Sequence, residues 1–193
     1  CQHNHAQGWP YYSEHLILAT PDNGAAIALY AACKATLKVA DGQEITLHEQ
    51  TNYPFEEKIS FTVNTTEDVR FPFYLRIPSW CDQPELAING KQKEIDPIPG
   101  KYIYIDRTWT DGDKVELNLP MKLSIHTWQV NKNSVSVNYG PLTLSLKINE
   151  EYIQKDSRST AIYDSRWQEG ADATQWPSYE IFPKSPWNYA LVL

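Results

Sequence analysis

Long apolar runs, an excess of basic side chains and paired cysteines are all missing from this 193-residue sequence. No stretch approaches the roughly 18 apolar residues that a membrane-spanning helix needs, and the start lacks the basic and apolar regions of a signal peptide. The 17 Lys and Arg face 24 Asp and Glu, which gives a net charge of −7 and no electrostatic reason to bind nucleic acid. A membrane span and a nucleic-acid partner are therefore not expected.

The three cysteines, Cys1, Cys33 and Cys81, are an odd number at wide spacings, so a disulfide framework is not expected and at least one thiol is free. Cys33 follows two alanines, a setting typical of a small buried apolar side chain. An N-terminal cysteine is also typical of lipoproteins. The aromatic stretch at residues 8–12 disfavours that alternative, because a small polar linker would be expected there.

Sequence motifs for nucleophilic or phosphate chemistry are absent: there is no Gly-x-Ser-x-Gly, no phosphate-binding loop and no Gly-x-Gly-x-x-Gly. Glycoside hydrolysis needs two carboxyl groups at a defined separation. The available candidates lie in predicted turns or on exposed strand faces, and we expect them to be solvated. They are Glu56, Glu57, Asp111, Asp113, Glu150 and Glu151.

Cys1, His3 and His5 supply the thiolate and imidazole groups that zinc prefers. A complete site normally has a second cluster downstream, and none follows, since His15, His48 and His126 are isolated. We expect these three histidines to be surface or structural residues. A complete metal site must therefore take ligands from outside this sequence.

Seven Trp and twelve Tyr are a high aromatic load. Aromatic residues favour strands, and they also stack on sugar rings. Inward, core positions are predicted for each individual tryptophan, and an exposed carbohydrate-binding face is the alternative. The tryptophans considered for that face are Trp80, Trp109, Trp128, Trp167 and Trp176.

Residues 6–18 carry aromatic and aliphatic side chains at helical spacing and predict a short N-terminal helix. From residue 26 the pattern alternates in short segments separated by turns, which predicts an all-β fold: a jelly-roll-like β-sandwich, as two small packed units. The strands are expected at residues 26–30, 35–39, 44–48, 58–63, 70–77, 86–91, 102–105, 114–119, 126–128, 134–139, 142–148 and 179–183.

Several of these stretches, taken together, resemble the bacterial β-L-arabinofuranosidase family of glycoside hydrolases. The matching segments are residues 1–4, 52–56, 73–80, 88–90, 104–109, 111–113, 119–121, 137–142 and 185–189. The resemblance implies that residues 1–22 are the end of an (α/α)6 catalytic barrel, residues 23–121 a first β-sandwich and residues 122–193 part of a second, with both ends of the sequence cut.

In the resembled family two adjacent cysteines lie at the end of the barrel, one the nucleophile and the other a zinc ligand. By position Cys1 matches the second, which implies a zinc ligand, and the nucleophile is the alternative. Gln2 and His3 stand where family members have two prolines. The resemblance implies zinc in the intact protein and no cofactor in this chain, whose partner is the upstream barrel of the same polypeptide.

Three functions follow from these observations. The first is a non-catalytic accessory region of a hydrolase of arabinofuranoside-type plant glycans, and the others are a carbohydrate-binding module with exposed Trp or Tyr and a structural or dimerising sandwich. The resemblance also implies a periplasmic or cell-surface enzyme rather than a cytoplasmic one, and a homodimer is compatible with it.

Overall fold

The N-terminal helix begins and ends four residues earlier than its apolar pattern predicts. A computed structural model describes residues 2–160, 170 and 172–187, and in it helix α1 spans Gln2–Glu14 with Pro10 in its interior. The predicted helix over residues 6–18 is wrong at its end, because Ile17–Ala19 forms strand β1. Tertiary pairing overrides local helical spacing here, since β1 pairs antiparallel with the strand at Ala25–Ile27.

Two sheets form the body of the chain. Strands β2 (Ala25–Ile27), β6 (Val69–Arg76) and β9 (Tyr102–Trp109) join β1 in a four-stranded sheet of order β1-β2-β6-β9. The second sheet has six strands in the order β3-β4-β5-β10-β7-β8. Its strands are β3 (Cys33–Val39), β4 (Gln43–Thr51), β5 (Lys58–Thr65), β7 (Glu85–Ile88), β8 (Lys91–Lys93) and β10 (Asp113–Asn118).

One apolar core lies between these two sheets. Alternate residues of each strand are buried, as the two-residue period of a strand requires when one face is covered. Phe73 of β6 meets Phe61 of β5 with ring centroids 5.5 Å apart, and Trp109 of β9 packs against Phe73 at 5.8 Å. The prediction of an all-β fold with a short N-terminal helix is confirmed, as a β-sandwich. Its jelly-roll character stays a prediction.

The turn signals in the sequence mark real hairpins. Asp41 and Gly42 lie between β3 and β4, which pair antiparallel from Cys33 opposite Glu49 to Val39 opposite Gln43. Asn89 and Gly90 both have positive φ, 50° and 73°, between β7 and β8, the geometry that Asn-Gly favours in a two-residue hairpin.

The rest of the described chain forms two smaller sheets. Strands β11 (Leu123–Trp128), β12 (Ser134–Tyr139) and β13 (Leu142–Leu144) make a three-stranded antiparallel sheet, with a 3-10 turn at Gln129–Asn131. Strand β14 (Glu150–Lys155) pairs with β15 (Ser178–Pro183). Between β14 and β15 lie helix α2 (Ser157–Thr160) and a 3-10 turn at Ala173–Gln175.

The chain divides into two compact units, residues 1–144 and residues 145–193. The predicted domain boundaries after residues 22 and 121 stay predictions. Strand β14 lies in a stretch where the sequence predicts no strand, because its polar residues do not alternate clearly and the strand it pairs with lies more than twenty residues downstream. No helix in the described part of the chain is long and apolar enough to cross a membrane.

Candidate functional site

Cys1, the residue singled out by the sequence as nucleophile or zinc ligand, lies outside the described residues. Helix α1 begins at the next residue, and His5 is exposed on it. Among residues 2–160, 170 and 172–187, no three His, Cys, Asp or Glu side chains come together as a metal site. The described residues therefore do not fit a zinc ion by themselves, and the assignment of Cys1 stays a prediction.

The carboxyl groups considered for catalysis are spread through the fold and serve local structure. Asp111 accepts hydrogen bonds from the Asn64 amide at 3.2 Å and from the Thr65 backbone N–H at 3.1 Å. Glu57 accepts the Met121 backbone N–H at 2.7 Å, while Glu56 is exposed. Glu150 and Glu151 are exposed on β14.

Asp113 was expected to be solvated, and that expectation is wrong. It is buried at the start of β10, where its carboxylate accepts hydrogen bonds from the Asn89 amide at 2.6 Å and the Thr110 N–H at 3.0 Å. The Arg107 guanidinium lies 3.2 Å away. Burial raises the pKa of Asp113, but these hydrogen bonds and the nearby cation outweigh that effect and lower it. The carboxylate is therefore charged, stabilises the turn and is not a proton donor.

The tryptophans divide between core and surface. Trp109 is fully buried, and its indole N–H donates to the Phe71 carbonyl at 3.0 Å, which confirms the inward prediction. Trp80 is partly buried against the same core. The prediction is wrong for Trp128 and Trp176, which are exposed by 50% and 69%. Trp167 lies outside the described residues.

A buried carboxyl group that the sequence analysis missed lies at one end of the sandwich core. Glu49 occupies an inward position of β4, in line with Ile45 and Leu47, and is only 1% exposed. Its carboxyl accepts the Ala31 backbone N–H at 3.0 Å, and the thiol of Cys33, its partner across the β3–β4 ladder, lies at 3.9 Å. We call Glu49, Ala31, Cys33, Tyr12 and Tyr30 the Glu49 cluster.

Burial dominates the electrostatics of the Glu49 cluster. Removal of the carboxyl from water raises the pKa of Glu49 to about 8, although the Ala31 and Cys33 hydrogen bonds oppose the rise. Burial, followed by the charge of Glu49, raises the pKa of the Cys33 thiol to about 11. Both groups are therefore mostly protonated at neutral pH.

The same cluster joins helix α1 to the sandwich. The Tyr12 hydroxyl donates to the Tyr30 carbonyl at 3.2 Å, and the Tyr30 hydroxyl donates to the Arg76 carbonyl at 2.5 Å. The Leu16 carbonyl, just after the helix, accepts the Ala28 N–H at 2.9 Å. The end of α1 is thus bonded to the connection between β2 and β3.

This arrangement is suited to structure rather than to hydrolysis. A nucleophilic cysteine needs a lowered pKa, and the pKa of Cys33 is raised. A retaining glycosidase with two carboxyl groups needs them about 5–5.5 Å apart, and the recorded partners of Glu49 are a backbone amide and a thiol. A neutral, buried carboxyl instead stabilises the connection between β2 and β3.

Comparison with known proteins identifies the same family that the sequence resembles. A family model described as the middle domain of the GH127 β-L-arabinofuranosidases matches residues 24–121. No curated protein matches the chain.

Solved structures share the fold. A structure titled glycoside hydrolase is 30% identical, with a TM-score of 0.61 over 66% of this chain and 22% of its own. A GH127 β-L-arabinofuranosidase from Geobacillus stearothermophilus T6 is 22% identical, with a TM-score of 0.63 over 89% of this chain and 32% of its own. A GH127 β-arabinofuranosidase is 23% identical, with a TM-score of 0.57 over 72% and 27%. The chain spans about a third or less of these structures.

Proposed function

This chain belongs to the GH127 β-L-arabinofuranosidase family, whose middle domain its residues 24–121 match, and from that membership we propose that it is a non-catalytic accessory region of a glycoside hydrolase. Its sandwich supports a catalytic barrel in the same polypeptide, and helix α1 is the connecting element. The intact enzyme acts on arabinofuranoside-type glycans, and Cys1 is a zinc ligand of its active site.

The observation that carries this proposal is the position of the family match on the fold. Residues 24–121 coincide with strands β2 to β10, whose inward side chains form the core. The carboxyl groups of this region accept hydrogen bonds from backbone and amide groups and form ion pairs. We infer that this region has a structural role and that the catalytic residues of the enzyme lie outside it.

The attachment of α1 supports the connecting role. Tyr12 and Leu16 bond the end of the helix to Tyr30 and Ala28, so a segment that carries Cys1 at its start is held by the sandwich at its other end. A fixed orientation of ligand-bearing elements is what metal sites in enzymes require.

The test uses the purified 193-residue chain and its Cys1→Ser variant. We expect sub-stoichiometric zinc by elemental analysis after dialysis, equal in both proteins, and no turnover of a chromogenic β-L-arabinofuranoside. A single thiol without further ligands cannot hold zinc tightly. One zinc per chain that is lost in Cys1→Ser, or measurable turnover, would show that this chain contains the active site and would refute the accessory role.

A carbohydrate-binding module built on tryptophan receives little support from the sandwich, because Trp109 is buried and Trp80 packs against the core. A dimerising role rests on the apolar side chains exposed on β11 and β14, including Leu123, Ile125 and Tyr152. Sedimentation of the chain distinguishes this role: a dimer that Ile125→Glu dissociates would favour it.

A further inference from the structure

The outer face of the four-stranded sheet carries one continuous row of side chains. Leu18 of β1 pairs with Ala26 of β2, Ala26 pairs with Tyr74 of β6, and Tyr74 pairs with Tyr104 of β9. Residues directly opposite in adjacent strands place their side chains on the same face. The row therefore runs across the sheet with its smallest member, Ala26, between two large ones.

This row forms a groove of about 560 Å³. Ala26 is its floor, Leu18 and Tyr74 stand on either side, and Tyr102 extends the aromatic side. Tyr102 and Tyr104, at outward positions of β9, are 44% and 56% exposed. Tyr104 packs on Tyr74 with ring centroids 5.0 Å apart, so the tyrosines form one aromatic wall.

Hydrogen-bonding groups border the groove. The Tyr74 hydroxyl donates to Asp22 at 2.5 Å, and the hydrogen bonds from Thr20 and Tyr74 lower the pKa of Asp22, so its carboxylate is charged at neutral pH. Next to Tyr104 on the same face, Arg70 donates to Asp106 through Nε at 3.2 Å and Nη2 at 2.9 Å.

The charges on this face balance. Arg70 and Arg76 of β6 stand against Asp22 and Asp106, so the face has no net charge to attract an anionic or a cationic polymer. Tyrosine rings offer an apolar face together with a hydroxyl group. A ligand that suits the groove therefore has apolar C–H faces, several hydroxyl groups and no charge.

We propose that the groove lined by Ala26, Tyr74, Tyr102 and Asp22, with the adjoining Tyr104, binds a neutral saccharide. One sugar ring lies over Ala26 against the tyrosine wall, and its hydroxyls bond the Asp22 carboxylate. A volume of about 560 Å³ is in the range of small-ligand sites, whereas a stable protein interface buries about 800 Å² on each side. That the glycan is of the arabinofuranoside type rests on the proposed function.

The test is isothermal titration of the 193-residue chain with a neutral arabino-oligosaccharide, with polygalacturonate as the anionic comparison. We expect binding of the neutral ligand that weakens about fivefold to tenfold in Tyr102→Ala and in Tyr104→Ala, because each removes one stacking ring. Tyr152→Ala removes an equally exposed tyrosine from the second compact unit and is expected to bind normally. Circular dichroism verifies that every variant is folded.

Three results would overturn the proposal. They are no heat with the neutral ligand at millimolar concentration, tighter binding of polygalacturonate, and equal weakening in Tyr152→Ala. Sedimentation of the same variants tests whether a second copy of the chain binds this face instead. A dimer that Tyr102→Ala dissociates, together with no saccharide binding, would show that it does. Because titration is independent of turnover and zinc content, a failure here leaves the accessory role standing.

Discussion

At the scale of single residues, Glu49 is a buried carboxyl whose pKa lies far above its ordinary value. A carboxyl with a native pKa of about 8 and an ordinary value of 4.5 keeps its proton in the folded chain and loses it in the unfolded chain between these two pH values. The contribution of Glu49 to the free energy of unfolding therefore falls as pH rises from about 4.5 to about 8 and is constant above that range.

Replacing Glu49 by Gln should remove this contribution. The amide keeps an acceptor for the Ala31 N–H and has no proton to lose, so we expect Glu49→Gln to be more stable than the original chain at pH 9, by a few kcal/mol, with little difference at pH 4. Urea unfolding between pH 4 and pH 9 measures this.

Glu44→Gln is the matched control, because Glu44 is exposed on the same strand. Its stability should follow that of the original chain across the pH range. Parallel pH profiles for the original chain and Glu49→Gln would refute the raised pKa.

The sequence predicts alternation well but does not identify every inward residue. The strand expected at residues 44–48 extends to Thr51, so the inward position of Glu49, two residues after Leu47, was missed. The series Ile45, Leu47, Glu49 was the available signal. That Glu49 is buried depends on Phe61, its partner on β5, and on Tyr30 of the connection between β2 and β3, whose ring lies 6.5 Å from that of Phe61.

At the scale of elements, the turn between β1 and β2 is fitted closely to β6. A Cβ atom added at Gly24 would lie 2.2 Å from the Pro72 carbonyl oxygen and 2.6 Å from the Pro72 ring. Because the main obstacle is backbone, relief would require the β1–β2 hairpin to move away from β6.

We therefore expect Gly24→Ala to destabilise the chain by about 1–3 kcal/mol, measured as a lower urea midpoint with an unchanged slope. Gly8→Ala is the control. A Cβ at Gly8 meets nothing within 4 Å, and alanine in a helix interior is favoured by about 0.5–1 kcal/mol. If the two variants were equally stable, the close approach of the turn to Pro72 would be wrong.

The sequence predicts elements that follow from the residue types in a turn. It does not predict elements whose conformation depends on pairing with a distant strand. The Asp41-Gly42 and Asn89-Gly90 hairpins follow from residue types that tolerate positive φ. Strand β1 was not foreseen, because residues 16–18 continue a helical pattern and only their pairing with β2 makes them extended. The aromatic groove depends on the parallel pairing of β2 with β6, which no local pattern records.

At the scale of the whole molecule, the buried hydrophobic residues in the described ranges all lie at or before Met121. The second compact unit, residues 145–193, has one two-stranded sheet among its described residues, and such a sheet alone is marginally stable in water.

We expect residues 1–144 produced alone to unfold cooperatively in urea and residues 145–193 produced alone to show no cooperative transition. Far-ultraviolet circular dichroism during urea titration measures both. A cooperative transition in the 145–193 fragment, or none in the 1–144 fragment, would contradict this division of stability.

The parallel contact between β2 and β6 also constrains the order of events during synthesis. Ala25 has its partner at Phe73, and β6 in turn pairs with β9, whose last residue is Trp109. The β1–β2 hairpin that holds the end of α1 is too small to persist unaided. During synthesis the chain emerges from its N-terminal side, so helix α1 has no fixed attachment to the sandwich until β6 and β9 have also left the ribosome.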